Sequence, residues 1–355
     1  MKTRKRLLDR PATELALVLA RKALDRWSEA HKRLGQADAP GALHAFRVAL
    51  RRLRSTLRAF RPQLEPLVPR RTRRRLRRLA RATGRSRNLQ VQREWVLAQL
   101  DALSPEARTG AQWLTARLTS SHQEADEQLA SRVAKDFGRI RRKLRRCLKA
   151  AKSAPAGEGS RSSTTAGVVV RDAVRRWTQE LNQRLNAIRT AADWDDAHAA
   201  RISVKRTRYL LKPFEEELRA AGDALEQLTE LQDVLGALQD ARVLADELRA
   251  GLVEIGAERA RRLCDELLPW SAAAQATSRT SLAAGHPGLV ALAHRLGAEY
   301  EATFDRLRGE WLEQRAPTLL FQLHQLAGDR TRRPRRRSRV LGRRPARQRR
   351  VRRFD

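Results

Sequence analysis

The chain has 355 residues, enough for two domains with buried cores. Its 75 Lys and Arg against 40 Asp and Glu leave a net charge of +35, an excess that directs it toward phosphate-rich polymers: nucleic acid, polyphosphate or an anionic membrane. Cys147 and Cys264 stand far apart with no C-x-x-C spacing, which excludes a disulfide framework or a zinc site. No apolar run reaches the length of a membrane span, and the basic N-terminus has neither an uninterrupted apolar stretch nor a cleavage site, so a cytoplasmic protein is expected.

Helical periodicity runs through the chain and no alternating strand pattern interrupts it. Helices are predicted over 12–34, 41–61, 70–83, 86–101, 104–129 and 131–151. The Ser/Gly/Thr-rich stretch from Ala151 to Gly167 then reads as a flexible linker. Helices resume at 168–191, 195–219, 222–250, 253–274 and 288–327. From Arg330 onward, 14 arginines with Pro and Gly leave almost nothing apolar to bury, the composition of a disordered tail. The expected organisation is all-α: a first helical-bundle half over 1–150, a linker over 151–167, a second half over 168–329 and a basic tail over 330–355.

One pattern occurs twice. His44 to Arg58 reads H-x-x-R-x-x-x-R-R-x-R and His198 to Lys212 reads H-x-x-R-x-x-x-K-R-x-R, 154 residues apart. On a helix, offsets 0, 3, 7, 10 and 14 fall within roughly 80° of arc and span about 21 Å. His44, Arg47, Arg51, Arg54 and Arg58 therefore share one stripe, as do His198, Arg201, Lys205, Arg208 and Lys212. Like charges three and four apart repel, so each stripe weakens its own helix unless an anion lies along it. Beside the first stripe run Leu43, Phe46, Leu50, Leu53, Leu57 and Phe60, so this helix can bury one edge and turn the other to a groove. Ala200, Val204, Leu211 and Phe214 do the same less strongly in the second copy. A second landmark repeats too: Leu76-x-x-Leu79 with Gly84 and Asn88 answers Leu228-x-x-Leu231 with Gly236 and Asp240, which indicates an internal repeat of about 150 residues.

Further basic stripes favour the first half: Arg70, Arg74, Arg77 and Arg81 on one helix, and Lys135, Arg139, Arg142, Arg146 and Lys149 on another. The helix around Leu225 to Leu235 carries Glu226, Glu230 and Asp233 instead, so a polyanion is expected to track mainly across the first bundle and meet the second at the His198 stripe. The two histidines read as phosphate donors whose protonation the bound anion favours. No second histidine or carboxylate stands at i+4 of either to complete a metal pair. The seven tryptophans are scattered singly, unlike base-stacking platforms, and no Walker A loop, dinucleotide fingerprint or helix-turn-helix reader is present.

These residues resemble the CHAD (conserved histidine α-helical domain) family, whose halves each carry H-x-x-R-x-x-x-[KR]-R-x-R-[YFS] followed by L-x-x-L(Q)-x-x-L-G-x-x-x-D. His198, Arg201, Lys205, Arg206, Arg208 and Tyr209, then Leu231 to Gly236 and Asp240, carry the resemblance in the second half. His44, Arg47, Arg51, Arg52, Arg54 and Ser55 carry it in the first, with Asn88 in place of the acid. The resemblance covers residues 12 to about 327. It implies two tandem four-helix bundles related by an approximate two-fold, binding inorganic polyphosphate on their basic faces. Some members carry a catalytic domain marked by E-x-E-x-K; the nearest match here, Glu215-Glu-Glu217-Leu-Arg219, ends in arginine within a predicted helix.

The expected function is non-catalytic polyphosphate binding, with no metal and no cofactor, in association with polyphosphate granules. The binding residues are the two stripes together with Arg52 and Arg206. Nucleic-acid binding through the same surface and the tail is the alternative.

Overall fold

A computed structural model describes residues 6–34, 41–153, 164–218, 221–267 and 286–328. The Arg-rich segment and 154–163 of the linker lie outside the described residues. Ten α-helices are present among those described: α1 (Ala12–Leu34), α2 (Ala42–Ala59), α3 (Arg61–Leu64), α4 (Arg70–Gln99), α5 (Pro105–Ser153), α6 (Ala166–Ala187), α7 (Trp194–Leu211), α8 (Ala221–Leu267), α9 (His286–Arg306) and α10 (Ala316–Leu326). A π-helical segment, Leu307–Arg315, joins α9 to α10 without a break, just ahead of Pro317, which lacks an N–H for the helix ladder.

Three predicted breaks are absent. The 70–83 and 86–101 helices are one, as are 104–129 and 131–151, and 222–250 runs on through 253–267, the described part of the last predicted helix. Gly251 shows why. A Cβ there would lie 3.1 Å from both Leu289 Cδ1 and Trp113 Cζ3, so the glycine is a notch into which neighbouring helices pack. Such contacts outweigh the ~1 kcal/mol that glycine costs a helix interior. Around Gly84 the burial of Leu79, Thr83, Ser86 and Leu89 on one face carries α4 through. The expected linker is narrower than 151–167: α5 continues to Ser153 and α6 begins at Ala166.

In the first half α1 packs on α2 and α5, and α4 on α2 and α5; in the second, α7 packs on α6 and α8, and α10 on α6 and α8. Each half thus closes a ring of four helices, but the two rings are not separately packed units. One core runs through both, from Leu15, Trp27, Phe46 and Leu144 to Val170, Val204, Phe214 and Leu228. A second core forms where the far ends of the long helices meet. There Val96 of α4 and Leu114 of α5 pack with Leu248 of α8 and Leu292 of α9. The crossing is close: a Cβ on Gly288 would sit 2.1 Å from the Ala107 carbonyl oxygen.

Segments about 150 residues apart, which the sequence pattern pairs, also meet in space. Pro11 and Thr165, 154 apart like the two histidines, form an isolated antiparallel bridge. Ala12 N–H donates to Thr164 O at 3.1 Å, and Ala166 N–H donates to Arg10 O at 2.8 Å. Likewise α1 touches α6, α2 touches α7, α4 touches α8 and α5 touches α9. The Glu217 carboxylate accepts the Leu7 and Leu8 N–H groups at 2.6 and 3.1 Å, which fastens the N-terminus to the α7–α8 connection.

Candidate functional site

Helix α2 buries Phe46, Leu50 and Leu53, and α7 buries Ala200, Val204 and Leu211. With those edges inward, the basic stripes turn toward each other where α2 packs on α7. Tyr209 marks the junction: the Arg51 guanidinium lies 5.8 Å from its ring centroid and that of Arg208 5.1 Å. An aromatic face attracts cations and so offsets part of their mutual repulsion. Arg208 also donates to Thr229 Oγ1 at 3.2 Å, which ties the stripe to α8.

The electrostatics show which side chains crowd together. Burial, then Arg87 and Arg51, lower the Arg47 pKa to about 10. Burial, then Arg58, Arg77 and Arg81, lower that of Arg54. Arg58 is lowered by burial and by Arg206 across the helix pair, while Glu180 opposes the shift. Arg201 is lowered by burial and Arg51, with Asp240 opposing. Lys205 is shifted furthest. Burial, then Arg201 and Arg51, with Arg208 adding and Asp240 opposing, bring it down to about 7. The two stripes therefore lie within electrostatic reach of each other through Arg51, and Arg77, Arg81 and Arg87 of α4 adjoin the first. These cations are half-buried or, at Arg54, Arg58, Arg77 and Arg81, exposed; with so few counter-charges they repel one another, and the arrangement is relieved when an anion enters. Two donors point the same way: Arg51 Nε and Arg201 Nε are buried and find no acceptor in the protein.

Other expected site residues are placed differently. Arg206 is committed to Glu180, its Nη1 2.9 and 3.1 Å from the two carboxylate oxygens. Lys212 is exposed and paired with Glu215 at 2.6 Å. Arg52 lines a cleft of about 550 Å³ with Arg208, Tyr209 and Lys212, opposite Glu215 and Glu226. His198 Nδ1 faces Gln239 Oε1 of α8, whereas His44 is exposed. Arg70 and Arg74 are exposed further up α4. Lys135, Arg139, Arg142, Arg146 and Lys149 are exposed along α5, which packs on α1, α4 and α9 and so carries its stripe away from the α2–α7 junction.

Two contributors were not singled out from sequence. Arg87 stands where the repeat places Gln239, and it faces Arg47 much as Gln239 faces His198. Glu180 holds Arg206, and nothing in the spacing signals a partner on α6. Tyr209, which carries part of the resemblance, lies against guanidiniums of both stripes. Gly236 has a local role as well: a Cβ there would lie 3.7 Å from Arg201 Nε, so the guanidinium packs on a bare helix surface. Among the described residues no three His, Cys, Asp or Glu side chains gather as metal ligands would, and no helix is long and apolar enough to cross a membrane. Cys147 and Cys264 are both free thiols.

With this geometry established, comparison with known proteins is informative. The CHAD domain model matches residues 18–249, a span that includes both His-headed helices. A solved CHAD domain from the plant Ricinus communis is similar over 94% of this chain and 99% of its own, at 18% identity and a TM-score of 0.54. PptA from Streptomyces chartreusis is similar over 85% of this chain and 99% of its own, at 17% identity and a TM-score of 0.57. At these identities the likeness concerns the fold. Comparison with curated proteins returns no match.

Proposed function

The chain belongs to the CHAD family, and on that premise we propose that it binds inorganic polyphosphate, without catalysis, in the groove between α2, α4, α7 and α8. The observation that carries this reading is the convergence of guanidiniums from both halves on one space, with Arg51 Nε and Arg201 Nε buried there without acceptors. A flexible chain of phosphates can meet these donors one residue at a time, since guanidinium forks match phosphate oxygens. The meeting of corresponding helices across the Pro11–Thr165 bridge supports the further reading that the halves are duplicated bundles about an approximate two-fold. Association with polyphosphate granules in the cytoplasm follows as part of the same proposal.

Binding of long-chain polyphosphate to the full chain tests it. Affinity should fall steeply with salt, because each neutralised phosphate releases a counterion, and incubation with Mg²⁺ should leave chain length unchanged. Release of orthophosphate would replace binding with catalysis. The exposed α5 stripe favours a second reading, nucleic-acid binding. Competition separates the two: polyphosphate should displace DNA at far lower phosphate concentration than DNA displaces polyphosphate.

A further inference from the structure

The second core is open on one side, where α8 runs beside α9. A cleft of about 690 Å³ lies there, floored by Leu248 of α8 and Leu296 of α9, both part of that core. Small residues make the room. Ala241 and Ala245 line it from α8 and Gly297 from α9, and no atom lies within 4 Å of a Cβ placed on Gly297. The stretch of α4 that the sequence pattern pairs with this part of α8 carries Leu89 and Arg93 in place of the two alanines. Two aromatic rings complete the lining. Trp194, at the start of α7, is 41% exposed despite its size. Tyr300 is fixed by its hydroxyl, which donates to Ala191 O at 2.7 Å.

The charged groups of the lining are unevenly matched. The Arg242 guanidinium lies 4.8 Å from the Trp194 ring centroid and 3.1 Å from Asp246 Oδ1, and Arg249 donates to that same oxygen at 2.8 Å. One carboxylate oxygen therefore serves two cations, each with further N–H donors left over. Arg242 Nε is buried and has no acceptor in the protein. Glu301 is the acid of the lining, and it is exposed. We propose that this cleft is a binding site for a small aromatic acid, two fused or linked rings bearing one carboxylate or sulfonate. The rings cover Leu248 and Leu296 and pack against Trp194 and Tyr300, which favour flat aromatic faces over flexible chains. The acid group takes the spare donors of Arg242 and Arg249. The volume is that of an ordinary small-ligand site, and an apolar floor with a few convergent polar groups is the usual construction of one. Inorganic polyphosphate is a poor fit here, since its charged oxygens would be desolvated against leucine. The site is thus separate in chemistry from the arginine groove, and stands or falls without it.

The test is a fluorescence titration of the full chain with anilinonaphthalene sulfonate, an aromatic sulfonate that brightens when it leaves water. At about 0.5 M salt, weak pairing of the sulfonate with surface arginines is screened. One site per chain is then expected, with Kd on the order of 10 μM for a ligand of this size. Gly297→Phe fills the hollow where no atom opposes a side chain, so it should weaken binding more than about tenfold while the unfolding midpoint is kept. Arg242→Gln combined with Arg249→Gln should cost the sulfonate about tenfold and leave uncharged N-phenylnaphthylamine unaffected. Naphthoate should displace the dye, and decanoate should do so far less well. Unchanged binding in the Gly297→Phe chain would overturn the proposal, as would equal affinity for the charged and uncharged dyes. Displacement by decanoate as effective as by naphthoate would overturn the aromatic assignment.

Discussion

Arg47 of α2 and Arg201 of α7 occupy the same position in the repeat, yet their surroundings differ in sign. Arg201 packs on Gly236 and has Asp240 to oppose its neighbours. Arg47 has Arg87 and Arg51 beside it, and where the repeat would place the acid stands Asn88. His198 is held against Gln239, while His44 is exposed. One turn on, Arg51 answers Lys205. The second half balances part of its charge internally; around Arg47 the neighbours that act are cationic. If the proposed polyphosphate site is right, binding should therefore lean on the first half.

The largest expected effect tests that asymmetry directly. Replacing Arg47, Arg51 and Arg54 together with Ala should lower polyphosphate affinity on the order of 10³-fold, taking ~1.5 kcal/mol for each charged contact. The log–log salt slope should also fall by about 2. An unchanged slope in a filter-binding titration would move the site elsewhere.

The next effect is pH dependence. Lys205 is cationic below about 7 when the groove is empty, and a bound polyanion raises its pKa. Binding then takes up a proton only above pH 7, so affinity should be level below that and fall by up to about tenfold per pH unit above it. Lys205→Arg should abolish the fall; if a His44→Ala/His198→Ala variant abolishes it instead, the histidines are the titrating donors. Stability of the ligand-free fold runs the other way. The unfolded chain keeps the Lys205 proton to about pH 10.4 while the folded chain releases it near 7, so thermal stability should rise across that window.

Smaller changes come from exchanging the counter-charges. Asn88→Asp should weaken polyphosphate binding and Asp240→Asn should strengthen it, each by about fivefold for ~1 kcal/mol of partly screened interaction. Equal and negligible effects by calorimetry would mean that neither acid position faces the ligand. Smallest of all is the glycine pair. No atom lies within 4 Å of a Cβ on Gly84, so Gly84→Ala should stabilise α4 by about 0.5–1 kcal/mol in thermal unfolding with affinity unchanged. Gly236→Ala, which touches Arg201, should shift affinity as well.

Much of this was legible in the chain. The bounds of α1 agree with its periodicity, and the apolar stripe of α2 fixed which way its arginines turn. The fusions of α4, α5 and α8 were not legible, because a glycine that breaks a lone helix is also one that lets helices touch; Gly251 reads identically in both cases. The ion pair of Arg206 with Glu180 was hidden for a similar reason: a cation one residue off the stripe looks like part of it until a facing carboxylate claims it. The α5 stripe has the charge density of a site but the wrong neighbours, and spacing along one helix carries no information about neighbours.

By itself the sequence determined the helical class and the two cationic faces, since these follow from composition and from periods of three and four along a single segment. Only the tertiary structure decided that the two faces come together where α2 packs on α7, that arginines of α4 adjoin them and that Tyr209 lies against both Arg51 and Arg208. Those are matters of distance between segments 150 residues apart. Charge repulsion and burial act through space, and a linear pattern is blind to them until the core has brought α2 against α7.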